Sequence, residues 1–80
     1  EDNQNGNLSF KIYPNPTSDF IFINTQNIIK EVSIYNLVGQ KMECKLDYNK
    51  INVSNLTNGT YFIKITAQTG SFQTSKFIKD

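Results

Sequence analysis

The sequence predicts an all-β domain, an antiparallel β-sandwich of about seven short strands, and three observations carry that expectation. First, the large side chains are mostly β-branched or aromatic, with six Phe and four Tyr against a single alanine, Ala67. Such residues suit a pleated, half-buried surface, and the strong helix formers are scarce. Second, apolar and polar residues alternate with period two along most of the chain, and no helical period of useful length occurs. Third, turn signals recur about every 8–12 residues, the spacing of a sandwich or small barrel. At 80 residues the chain has room for one small core. With 38% hydrophobic and 19% charged residues it is too apolar for a disordered chain, and it lacks the long apolar run of a membrane helix.

Residues 1–7 are polar, rich in Asn and Gly, and without period, which reads as a linker preceding a domain over residues 8–80. Leu8, Phe10 and Ile12 alternate with Ser9, Lys11 and Tyr13, giving a first strand that stops at the rigid turn Pro14-Asn15-Pro16. The continuous run Phe20-Ile21-Phe22-Ile23 reads as a strand buried on both faces or lying at a sandwich centre. Val32 and Ile34 alternate with Ser33 and Tyr35 up to a hairpin turn at Asn36-Leu37-Val38-Gly39. Beyond it, Met42, Cys44 and Leu46 form a one-faced strand. Ile51 and Val53 give a short alternation, with Tyr48–Leu56 the only stretch that admits a helical turn, though its composition disfavours one. The turn Leu56-Thr57-Asn58-Gly59 leads into Tyr61, Ile63, Ile65 and Ala67, and Gln68-Thr69-Gly70 turns into a last strand over about residues 71–79.

Rare residues exclude whole classes of chemistry. The chain has no histidine, so Ser-His-Asp and Cys-His nucleophiles and histidine zinc sites are ruled out. The scattered carboxylates Asp19, Glu31, Glu43 and Asp47 suggest no glycosidase pair, and there is no calcium loop. No enzymatic activity, cofactor or metal is therefore expected. A net charge of +1 without a single arginine argues against DNA or RNA as partner. Cys44 has no mate for an internal disulfide and reads as a small hydrophobe. The Asn-x-Ser/Thr triplets at Asn7, Asn52, Asn55 and Asn58 are expected by chance in a chain so rich in Asn, Ser and Thr. The start at Glu1, without methionine or an apolar signal segment, reads as a fragment of a longer protein.

Four stretches in order carry a resemblance. They are Ile12-Tyr13-Pro14-Asn15-Pro16, then Val32 through Lys41 with its Ile34-Tyr35-Asn36-Leu37-Val38-Gly39, then Leu56-Thr57-Asn58-Gly59-Thr60-Tyr61, and finally Lys76-Phe77-Ile78-Lys79. Together they resemble the type A C-terminal sorting domain of the type IX secretion system of Bacteroidota, over about residues 10 to 79. The resemblance implies an immunoglobulin-like sandwich at the C-terminus of a larger secreted cargo protein. It also implies export through an outer-membrane translocon, removal by a cell-surface sortase at or before residues 1–7, and delivery to the cell surface or medium.

The residues allow plainer roles as well. Pro14 and Pro16 read as a rigid turn that blunts an edge strand, in preference to a recognition element. Gly39 and Gly59 read as backbone positions needing positive φ, and Tyr61 as a core residue whose hydroxyl reaches a polar partner, as in the tyrosine corner of such sandwiches. Recognition is placed on the last strand, at Lys76, Phe77, Ile78 and Lys79, where a free edge could be read by β-augmentation, although lysines there also protect an edge from aggregation. The domain is expected to be monomeric, with some edge-to-edge association. A competing reading is an accessory sandwich that binds polysaccharide through exposed aromatics or acts as a spacer. It needs an aromatic row, and Tyr13, Tyr35 and Tyr48 show none in the sequence.

Overall fold

The computed structural model describes residues 10–80, so Leu8 and the linker assigned to residues 1–7 lie outside the described residues. The period-two patterning becomes eight antiparallel strands: β1 (Phe10–Tyr13), β2 (Phe20–Thr25), β3 (Ile29–Tyr35), β4 (Lys41–Met42), β5 (Leu46–Asp47), β6 (Lys50–Asn52), β7 (Gly59–Ala67) and β8 (Phe72–Lys79). Consecutive pairs form hairpins that are dealt alternately to two four-stranded sheets, ordered β1-β2-β6-β5 and β4-β3-β7-β8. No helix occurs among the described residues, and the stretch 48–56 is turn and strand.

The core lies between the sheets. The first sheet contributes Phe10, Ile21, Ile23 and Ile51, and the second contributes Ile34, Tyr61, Ile63, Ile65, Ala67 and Phe77. Val53 and Leu56, on the connection from β6 to β7, plug one side. β7 shows the logic most clearly: Tyr61, Ile63, Ile65 and Ala67 are buried while the residues between them are only partly covered. Burying one such side chain contributes about 1.5–3 kcal/mol, so a core this thin depends on each of its members.

Two sequence expectations are corrected. The Phe20–Ile23 run is not buried on both faces: Ile21 and Ile23 are buried, whereas Phe20 and Phe22 lie exposed on the outer face. Phenylalanines on the outer face and isoleucines on the inner one make a strand buried on one side look apolar on both. The Phe22 ring stacks on Tyr13, and the Lys50 ammonium lies 4.7 Å over the Phe20 ring. The Met42–Leu46 strand is likewise two: β4 pairs with β3 in one sheet and β5 with β6 in the other. Met42, Cys44 and Leu46 all pack against the core while the backbone crosses between sheets, so the alternation of burial outlasts the change of partner.

The Ile63→Ala variant is expected to lose about 3–4 kcal/mol by leaving a cavity at the centre of β7, a large part of the few kcal/mol available to a domain this small. A urea titration followed by circular dichroism measures it. At Gly39 φ is +87° with no atom within 4 Å of where a Cβ would stand. Gly39→Ala is therefore expected to cost about 1–2 kcal/mol through the backbone alone. A smaller shift of the urea midpoint in Gly39→Asn than in Gly39→Ala would confirm that origin.

Candidate functional site

Pro14 and Pro16 have no N–H to give, so the segment joining β1 to β2 can donate hydrogen bonds only from Asn15 and from Thr17 onward. Both prolines follow cis peptide bonds. The Asn15 side chain accepts from the Ile78 amide at 3.0 Å and donates to the Lys76 carbonyl at 3.4 Å. Thr17 then forms a parallel bridge with Lys79: its amide donates to the Ile78 carbonyl at 2.9 Å and its carbonyl accepts from the Asp80 amide at 2.8 Å. The Thr17 side chain is buried, with its hydroxyl donating to the Phe20 carbonyl. The sequence reads the outer edge of the last strand as free, yet over residues 76–80 that edge is closed by Asn15 and Thr17. Two motifs more than 60 residues apart form one composite surface.

Side chains alternate along β8. Phe77 is fully buried and stacks on Tyr61 with ring centroids 5.6 Å apart. Lys79 is only 7% exposed, its Nζ donating to the Asp80 carbonyl. Lys76 and Ile78 point outward and are exposed. Of the four residues assigned to recognition, the structure thus offers two to a partner and holds two inside.

The other motifs meet the same end of the sandwich. Gly59, Thr60 and Tyr61 pair across the ladder with Lys79, Ile78 and Phe77. Leu56 is buried, and the buried Tyr61 donates its hydroxyl to the Thr57 carbonyl at 2.7 Å, the arrangement of a tyrosine corner. The β3–β4 hairpin tip abuts this region, where Asn36, Leu37 and Val38 line a shallow hollow of about 280 Å³ with Asn58, Gly59, Thr60 and Tyr61. Asn36 makes that tip rigid. Its Oδ1 accepts from the Val38 and Gln40 amides at 3.0 and 2.9 Å, and its Nδ2 donates to Gln40 Oε1 at 2.8 Å. The tip so held presents Leu37 and Val38, 66% and 79% exposed. The sequence places Asn15 in the structural Pro14-Asn15-Pro16 turn without its partners on β8, and it misses Thr17 and Asn36 as organising residues; for Asn36 the available signal is an amide side chain opening a turn that ends in a positive-φ glycine, Gly39.

The described residues contain no cluster of His, Cys, Asp or Glu able to hold a metal ion. They also contain no helix long and apolar enough to cross a membrane. Burial pushes the Cys44 thiol above its ordinary range, and the nearby Lys41 charge only partly offsets this. A thiol so disposed is a poor nucleophile.

A family model described as a secretion system C-terminal sorting domain matches residues 11–80. Among curated proteins, ulvan lyase NLR42 of Nonlabens ulvanivorans is 37% identical over 75 residues, a match covering 88% of this chain and 14% of that protein. The chain therefore corresponds to a small part of that relative. No solved structure matches.

Asn15→Ala is expected to lower stability by about 1–2 kcal/mol and to speed hydrogen exchange at the Ile78 amide, whereas Asn15→Asp, which keeps the acceptor, protects that amide better. Because the unfolded chain releases the Cys44 proton at lower pH than the folded one, folding stability is expected to fall as pH rises above about 8.5. Comparing urea midpoints of the native chain and Cys44→Val over that range isolates the effect.

Proposed function

The chain belongs to the secretion system C-terminal sorting domains, and from that membership we propose that the end where its four motifs converge is the surface by which the type IX machinery reads it. The domain is a C-terminal sorting signal, directing a cargo protein out of the cell through the type IX system, and such a tail is not itself catalytic. The one observation that carries the assignment to this end is the clasp of Asn15 and Thr17 on β8. It holds the terminal strand in one register and sets Lys76 and Ile78 on its outer side.

Within this reading the motif residues divide by role. Asn15, Thr17, Gly59, Tyr61, Phe77 and Lys79 hold the surface in shape, the last of them with Thr17, Tyr61 and Phe77 from inside. Lys76, Ile78, Leu37 and Val38 are exposed and available to a partner. An outer-membrane translocon component with an apolar, partly acidic groove suits them. Residues 1–7 would be the linker to an N-terminal cargo and the place where a surface sortase cuts, with residues 8–80 as the sorting domain. The cargo would end on the cell surface or in the medium, and a polysaccharide-degrading enzyme is a fitting cargo, given the named relative. The strand order also supports an immunoglobulin-like reading: first, second, sixth, fifth in one sheet and fourth, third, seventh, eighth in the other follow the A-B-E-D and C′-C-F-G order of those sandwiches.

The test is export of a periplasmically targeted fluorescent protein carrying residues 1–80 in a Bacteroidota host. The native fusion is expected at the surface or in the medium. Lys76→Glu with Ile78→Ser, and Leu37→Ser with Val38→Ser, are expected to leave the fusion folded but held in the periplasm. Export unchanged in both double variants would sink the reading of this end. Deleting Lys76 to Asp80 is the poorer test, since it removes Phe77 from the core.

A further inference from the structure

The outer face of the first sheet carries a row of side chains that the core does not use. Tyr13, Phe22, Lys50 and Asp47 are successive cross-strand partners over β1, β2, β6 and β5. The Tyr13 and Phe22 rings stack, with centroids 5.6 Å apart and planes 24° apart, yet Tyr13 stays 52% exposed. Beside them runs an open groove of about 470 Å³, walled also by Asn24, Tyr48 and Asn49. The sequence shows no aromatic row, but folding places Tyr13 of β1, Phe22 of β2 and Tyr48 of the β5–β6 turn around one groove.

Two features separate this face from ordinary strand surface. Tyr48 has φ of +58° in the β5–β6 turn and is 92% exposed. A bulky residue rarely takes that conformation, and Asn49 next to it is of a type that, among residues with a side chain, adopts it more readily. The turn thus accepts backbone strain and exposes a ring, which packing does not explain. In addition, the side chains of Asn24, Asp47 and Asn49 make no hydrogen bond among the described residues, so their donors and acceptors are available.

We propose that this groove is a carbohydrate site that binds a neutral pyranose unit of an oligosaccharide. A pyranose has an apolar C–H face rimmed by hydroxyls. Aromatic rings meet the face, and amide and carboxylate groups meet the hydroxyls. Charge selects the neutral class: the Asp47 carboxylate and the Lys50 ammonium both line the groove and oppose each other, and the ammonium is further held 4.7 Å over the Phe20 ring, so the groove offers no net charge to an ionic ligand. The volume lies within the range of small-ligand sites. This site stands on the opposite sheet from β8 and does not depend on the sorting reading.

The test is an NMR titration of the 80-residue chain with cellohexaose, xylohexaose, mannohexaose and laminarihexaose. At least one is expected to give saturable shifts at the amides of Phe22, Asn24 and Asn49, with a dissociation constant in the millimolar range. Tyr48→Gly, which relieves the backbone, is expected to keep or raise the urea midpoint while weakening binding about tenfold, and Tyr48→Phe to retain binding. The proposal is overturned if no sugar in the panel gives saturable shifts at the groove, or if Tyr48→Gly binds as well as the native chain. It is also overturned if the groove amides shift on diluting the sugar-free protein, because the face would then be a contact between copies.

Discussion

The parallel bridge between Thr17 and β8 is the constraint on which the rest of the molecule depends. It is the described backbone pairing that ties the segment between β1 and β2 to the edge of the other sheet, reinforced by the Asn15 side chain, while the sheets otherwise meet through a thin apolar core. Each of its hydrogen bonds is worth about 1 kcal/mol net, small in a large protein but a real share of the stability of a domain this size. The bridge also sets register. With the Ile78 amide and carbonyl committed to Asn15 and Thr17, a slip of β8 by one residue would turn Phe77 out of the core and Ile78 into it.

The same economy runs through the other motif residues. Gly59 lets the chain enter β7 opposite Lys79, Tyr61 ties β7 to the loop before it, and its ring lies on Phe77. Asn36 does with one side chain what a longer loop would do with several residues, holding the hairpin tip through Val38 and Gln40. The residues most recognisable in the sequence are therefore largely builders, and what they leave exposed at this end are less distinctive neighbours such as Leu37, Val38 and Ile78.

The fold was largely legible because one-sided burial leaves a period-two trace, clearest in Tyr61 to Ala67 and in Ile51 with Val53. It failed where that trace is masked. Phe20 and Phe22 hide the alternation of β2 because an exposed aromatic and a buried isoleucine read alike as apolar. The split of Met42 to Leu46 was invisible because burial continues through the change of sheet, and pairing leaves no mark on composition. The site was less legible than the fold. Motif order singled out the segments that the fold brings together, but the approach of Asn15 to Ile78 spans most of the chain, and no local pattern records such a contact. The Tyr48 turn was hidden for the opposite reason, since its conformation departs from what its residue type prefers.

If this end is the sorting surface, as proposed above, the clasp on β8 makes that surface a conjunction. Its parts come from residues 15–17, 36–38, 59–61 and 76–80, and none is presented correctly unless the sandwich between them has closed. A receptor that binds this end consequently inspects more than a string of residues: it registers that the domain has finished folding. On the proposed reading, a partly unfolded or internally cleaved tail carries every motif and still goes unread, and the feature that labels the cargo also proofreads the label.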